Sequence, residues 1–317
     1  MTFKTKAKIK ENAVGYGFIA PLLLYFVVFQ LAPMIIALVM SFTDYSLAHL
    51  YDYSFVGFDN YIELFTNSVK YPRFWSSLGT TMLFIVITVP VNIILTLIVS
   101  ALLNSKIKGE KFFKTVFYIP SVTVGVAVMV MWKQMLAPDG LINQMIGTRV
   151  DFLNSESTAL AVIALMSVWG GLGYNVLIML SAIKNIDPSL YEAAQIDGAG
   201  VVARFVHITV PSVMPTVFFF IVTGLIGGFQ VGEQMLIIYG DTTTVQSVYT
   251  YVYGLYYTMR RECDYATASA MSYFLFAIIL VLTLVQFRVQ NMGEQRDKSE
   301  KRGKRSRKLN KGGAANG

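Results

Sequence analysis

Six stretches of the chain carry no Asp, Glu, Lys or Arg: residues 12–43, 74–105, 115–132, 157–183, 205–232 and 265–287. Each is long enough, or nearly so, for the ~20 apolar residues that a spanning helix needs. The pattern predicts an all-α integral membrane protein with six transmembrane helices, at about 14–42, 76–104, 114–136, 158–183, 211–239 and 265–288. The first stretch follows a basic arm and has the look of a secretory leader. It is too long for one and ends without a small-x-small cleavage site, so it is expected to be an uncleaved first span. Pro21 and Pro33 are expected to kink it or mark its ends. A seventh uncharged window, Thr242 to Met259, is rich in Thr, Gln and Tyr. Val245, Val248, Tyr249, Val252 and Tyr256 share a helical face there, which predicts an amphipathic helix lying at the outer interface.

Charge then orients the spans. Of 317 residues only 14% are charged, against about a quarter in soluble domains. Twenty of the 26 Lys and Arg fall on one side: in the N-terminal arm, at Lys106, Lys108, Lys111 and Lys114, at Lys184 and Arg204, and from Arg288 onward. The positive-inside rule makes that side cytoplasmic. The expected division is a cytoplasmic arm 1–12, a six-span domain 13–290 and a basic, disordered cytoplasmic tail 291–317. The tail suits contact with anionic lipid, and no aromatic platform or nucleic-acid-binding motif accompanies it. The one cysteine, Cys263, has no internal partner for a disulfide, and His49 and His207 are expected on opposite faces of the membrane. No paired carboxylates, His cluster or nucleophile constellation marks an enzyme.

Within the spans, polar groups are few enough to single out. Asn92 follows Pro90 in the second span. It suits helix–helix hydrogen bonding first and a pathway second. The fourth span carries Trp169-Gly170-Gly171-Leu172-Gly173-Tyr174-Asn175. Its glycines suit close packing, while Tyr174 and Asn175 offer a ring and an amide. In the fifth span Gly224, Gly228 and Gly232 recur every four residues. Gln230, Glu233 and Gln234 share a face nearly opposite that stripe. Intramembrane polar groups of this kind mark a wet cavity or a partner.

The most strongly patterned polar stretch lies at 184–210. Asp187 and Pro188 form an N-cap and first helical residue, and Asp197-Gly198 should end that helix. A second short helix is expected from about Val201 to Ile208, with Asp197 as its cap and Pro211 with Pro215 starting the next element. The spacing Glu192-Ala193-Ala194, three residues, Gly198, nine residues, Ile208-Thr209-Val210-Pro211 resembles the EAA loop of binding-protein-dependent ABC transporter permeases. Val210 replaces the Leu of that pattern. Three further patches resemble sugar permeases of the maltose and glycerol-phosphate type: Gly57-Phe58-Asp59-Asn60-Tyr61, Pro138-Asp139-Gly140-Leu141-Ile142-Asn143, and Tyr265-Ala266-Thr267-Ala268. Asp264 stands where the last of these patterns has Gly, and Tyr239-Gly240-Asp241 replaces its Gly-Gly-Pro turn.

The resemblance implies a MetI-like permease fold in the cytoplasmic membrane and a role in carbohydrate import by alternating access. It implies an ATPase dimer, a second permease subunit and an extracytoplasmic sugar-binding protein as partners. No phosphate-binding Gly-x-x-x-x-Gly-Lys-Ser/Thr run is present, so ATP and Mg belong to the partner ATPase and this chain binds no cofactor or metal of its own. Glu192, Ala193, Ala194, Asp197, Gly198, Ile208 and Pro211 are the expected ATPase-coupling positions. Gln230, Glu233, Gln234, Asn175, Tyr174 and Asn92 are the candidates for the substrate pathway. The rival reading is an ion-coupled secondary transporter or channel, for which an internal repeat and paired buried charges are the signals; neither is evident.

Overall fold

The computed structural model describes residues 3–49, 51–105, 109–123, 125–241 and 243–313. Lys106, Lys108 and Thr242 lie outside them. Among the described residues four helices are long and apolar enough to cross a membrane, and the total is six if each of two sharply bent helix pairs is one span. In chain order the helices are α1 (Gly15–Met40), α2 (Asp59–Thr66), α3 (Phe74–Asn104), α4 (Glu110–Val122), α5 (Gly125–Met135), α6 (Leu141–Ile146) and α7 (Ala159–Lys184). They continue as α8 (Pro188–Ile196), α9 (Val201–Ser212), α10 (Met214–Phe229), α11 (Glu233–Tyr239), α12 (Tyr251–Arg260) and α13 (Tyr265–Gly313). The chain forms two compact units: Met1–Phe74 with Leu255–Phe274, and Trp75–Gly254 with Leu275–Gly317.

In the first unit α1 continues an N-terminal helix that begins at Phe3 and passes through Pro21. Pro33 has no N–H for the Phe29 carbonyl, and the turn before it relaxes to π geometry, with Ala32 N–H bonding Val27. The end of α1 is clamped by the Asp59-Asn60-Tyr61 patch. Asn60 Nδ2 donates to the carbonyls of Ser41 and Thr43 at 2.9 and 2.7 Å, and Tyr61 donates to Ser41 Oγ at 2.8 Å. Asp264 begins α13: its carboxylate accepts from Thr267 N at 2.9 Å and Thr267 Oγ1 at 2.8 Å. An acid at that position is an N-cap, so it replaces the Gly of the sugar-permease pattern with a function of its own.

The second unit is built on α7, whose buried residues run from Ala159 to Ile183. Leu172, Val176 and Leu180 pack with Leu103 and Phe117, while Met179 and Ile183 pack with Val213, Val217 and Phe220 of the fifth span. Gly173 is a packing glycine: a Cβ there would sit on the Phe117 carbonyl oxygen of α4. Asn143, fully buried, donates to Ala137 and Val150 carbonyls at 2.8 and 2.9 Å and accepts from Thr148 and Val150, which fixes the Pro-Asp-Gly loop around it.

Three expectations are corrected by this fold. The third span is not one continuous helix: α4 and α5 meet at 100°, with Thr123 extended at φ −79, ψ 144. Pro120 removes a ladder donor there, and the Ser, Thr and Gly that follow are weak helix formers. The fifth span, expected whole over 211–239, is interrupted twice. It bends by 65° at Val213, where Pro215 cannot donate to the Pro211 carbonyl, and it breaks again between Phe229 and Glu233. The 242–259 window is not one amphipathic helix. A 3-10 turn at Gln246–Val248 precedes an α-helix that starts only at Tyr251, and Val245, Val248 and Tyr249 are buried inside the protein. The last helix, α13, runs on through Gly313 into the basic tail.

Candidate functional site

Two places in the second unit carry the residues singled out by sequence: the 184–210 loop, and a cavity among α3, α7 and the fifth span.

The loop begins as expected. Asp187 Oδ1 accepts from Ser189 N at 2.9 Å, and Pro188 occupies the first turn of α8. That backbone N–H holds the Asp187 carboxyl below its ordinary range. At the far end Gly198 takes φ +78, and Gly198 N and Ala199 N bond the carbonyls of Gln195 and Ala194 at 3.1 and 2.8 Å. Those two bonds are a Schellman closure, which requires the left-handed residue that glycine supplies without strain. No heavy atom lies within 4 Å of a Cβ built there, so the backbone and not crowding demands the glycine.

Two details differ from expectation. Asp197 ends α8 rather than capping the next helix, whose N-cap is Gly200. The second helix also does not stop at Ile208: through a π turn at Phe205–Thr209 it carries on past Pro211 to Ser212. Pro211 therefore lies within a helical segment, and Pro215 alone opens the next. Glu192 and Ala193 are exposed, and Ala194 and Ile208 half-buried. Ile196, Val201 and Val202, not singled out from sequence, are 86, 74 and 75% exposed around the Gly198 turn. Three large apolar side chains gathered on one polar loop suit burial against a partner. The signal for them was their placement on either side of a glycine turn.

The cavity has a volume of about 390 Å³. Asn92, Asn175, Tyr174 and Gln234 line it, with Ser167 and Thr223 as further hydroxyls. Asn175 Nδ2 donates to Asn92 Oδ1 at 2.7 Å, and Asn92 Nδ2 donates to the Val168 carbonyl at 3.2 Å. Ser167 donates to Gln234 Oε1 at 2.7 Å. Asn92 is thus both a tie between α3 and α7 and part of the wall. Gln230 and Glu233 do not line the cavity, and both are exposed. They were grouped with Gln234 on the assumption of a continuous helix, and the break at 230–232 removes that register. The glycine stripe divides the same way. A Cβ on Gly224 or Gly228 would press on Val89 or Ile85 of α3, at 3.1 and 2.5 Å, whereas one on Gly232 would meet Val252. Ser167 and Thr223 escape a reading of the sequence because a single hydroxyl in an apolar run ordinarily bonds its own helix, as Thr223 does here to the Phe219 carbonyl and as the Ile163 carbonyl, 2.9 Å from Ser167 Oγ, offers in competition with Gln234.

Residues 64–296 match the family described as binding-protein-dependent transport system inner membrane component. The chain belongs to this family. It is 34% identical over 298 residues to the probable ABC transporter permease protein YesP of Bacillus subtilis (strain 168), covering 91% of this chain and 94% of that one. It is 30% identical to the lactose transport system permease protein LacF of Rhizobium radiobacter, over 90% of this chain and 97% of that protein. The crystal structure of a bacterial ABC transporter involved in the import of the acidic polysaccharide alginate contains a chain with the same fold. Its TM-score is 0.78 at 23% identity, covering 90% of this chain and 98% of that chain. The protein is accordingly a multi-pass ABC importer permease, a transport subunit rather than an enzyme.

Proposed function

We propose that this permease carries a neutral carbohydrate inward by alternating access, through the cavity among α3, α7 and the fifth span. One observation carries the reading: amides, hydroxyls and a tyrosine ring line the cavity, and none of its lining residues is charged. Such a wall matches a ligand rich in hydroxyls, whereas an ion pathway calls for charged or carbonyl-dense coordination. The relatives that transport lactose and alginate support the substrate class, and the lack of a lining Lys or Arg favours a neutral sugar over an acidic one.

The energy comes from ATP and Mg at a partner ATPase dimer. A second, different permease subunit completes the membrane assembly, and an extracytoplasmic binding protein delivers the sugar. The twenty-to-six division of Lys and Arg supports a cytoplasmic location for both termini and the 184–210 loop. In that loop Glu192, Ala193, Ala194 and the Gly198 turn meet the ATPase, with Ile196, Val201 and Val202 as apolar anchors. Asp197 and Gly198 shape the turn, while Ile208 and Pro211 lie on the helix that returns to the membrane.

The test is reconstitution of the importer in lipid vesicles with its ATPase and binding protein. A panel of neutral oligosaccharides should include one that stimulates ATP hydrolysis and is taken up. Stimulation by uronate-containing sugars alone would overturn the neutral assignment. Uptake driven by a sodium or proton gradient without the ATPase would overturn the proposal as a whole.

A further inference from the structure

The Tyr191 hydroxyl and Thr209 Oγ1 lie 2.9 Å apart, joining α8 to the π turn that precedes the fifth span. Thr209 is 5% exposed. Its backbone carbonyl accepts from Val213 N at 3.1 Å, and Val213 is the point about which α9 and α10 bend by 65°. Thr209 therefore holds two things at once, α8 through its side chain and the bend through its backbone. Beyond the bend, Phe219, Phe220 and Thr223 of α10 line the cavity. Single π turns inside helices are frequent at functional positions.

The inner side of α8 faces open space. Tyr191 lines a slot of about 500 Å³ with Leu103 and Asn104 at the end of α3, Lys184 at the end of α7 and Ile186 beyond it. On that side α8 has room to move against the span ends. A displacement of α8 needs a fixed tie to be passed on to α10, and the hydroxyl pair supplies one.

We propose that Tyr191 and Thr209 form a latch that transmits movement of the 188–196 helix to the bend at Val213, and so to the cavity wall. Both are positioning residues, and neither touches the substrate. This rests on the reading that the 184–210 loop meets the ATPase. A phenylalanine keeps the ring of Tyr191 and removes only the hydroxyl, so docking through the outer side of α8 is left intact.

The experiment uses the whole importer in lipid vesicles, with Cys263→Ser and Thr223→Cys to place a single thiol on the cavity wall. The rate of N-ethylmaleimide labelling is compared without nucleotide and with ATP plus vanadate. Tyr191→Phe should keep ATPase co-purification and ATP hydrolysis, yet shrink the nucleotide-induced change in labelling about fivefold, the effect of losing one neutral hydrogen bond. Thr209→Val should do the same, the double variant should add nothing further, and Thr209→Ser should restore the change. Full wild-type labelling changes in both single variants would overturn the latch. So would a parallel loss of the ATPase from the complex, since that is the signature of a merely structural contact. Failure of the docking reading shows separately: Ala193→Trp would then still retain the ATPase.

Discussion

The 184–213 segment and the 224–239 segment are both short, both rich in special residues, and both singled out by sequence, yet they differ in how far local chemistry determines them. In the first, each feature is set within a few residues. Asp187 bonds Ser189, Gly198 supplies φ +78, and the Schellman bonds close on Gln195 and Ala194. In the second, the direction of each polar side chain depends on an unbroken helix, and the helix breaks. Gln230 N–H divides between Ile226 and Gly227, Gly232 lies outside helical geometry at φ −167, ψ −36, and α11 restarts at Glu233. Capping chemistry is legible residue by residue. A helical face is legible only as far as the helix itself holds.

The largest effect is expected at the turn. Gly198→Pro cannot adopt φ +78 and removes the N–H that bonds Gln195, so the permease should insert in the membrane but lose its ATPase and its uptake. Gly198→Ala should cost about 1–2 kcal/mol of turn stability, the penalty of a left-handed alanine, and weaken ATPase retention without abolishing it. Co-purification of the ATPase with each variant reads both outcomes.

The cavity should respond less. Asn175→Ala removes the 2.7 Å donor to Asn92 Oδ1 and leaves only the longer bond from Thr96 Oγ1 at 3.4 Å, and uptake should fall about fivefold, in line with about 1 kcal/mol for one lost hydrogen bond. ATPase retention should be unchanged. A milder, pH-dependent effect is expected at Glu156, just before α7. Glu156 accepts from Gln246 N and Ser247 N at 2.6 and 2.8 Å, bonds that hold its pKa below the ordinary 4.5. Because the folded pKa is depressed, the stabilisation is complete above pH 4.5 and is lost as pH falls through the folded value. Glu156→Gln should remove that acid-side loss, visible as a flatter dependence of thermal unfolding on pH below 4.5. The smallest effect belongs to Gln230→Ala. An exposed side chain outside the cavity should leave uptake within about twofold of wild type, and a large loss there would restore the continuous-helix register.

These contrasts explain what the sequence conveyed. Six apolar stretches announce six crossings because chain length and hydrophobicity decide whether a segment can enter a bilayer. They do not announce that two of the crossings are bent, since Pro120 and Pro215 allow a bend whose size tertiary packing sets. The glycines of the fourth span read as packing residues, and Gly173 against Phe117 is one. Asn92, Asn175 and Tyr174 were legible because an amide or phenol in an apolar run needs a reason. Ser167 and Thr223 were not, because a hydroxyl can satisfy itself on its own helix. The burial of Val245, Val248 and Tyr249 was also hidden: an amphipathic pattern is the same whether its apolar face meets lipid or protein.

The central claim is that the loop closed by Gly198 is the face that meets the ATPase. Its most direct test is a photo-cross-linker attached at Ala193→Cys, in a Cys263→Ser background, on the assembled importer in native membranes. The account predicts an adduct with the ATPase subunit, formed from the cytoplasmic side and lost in Gly198→Pro. Adducts only with the extracytoplasmic binding protein, or an ATPase adduct that persists undiminished in Gly198→Pro, would contradict it.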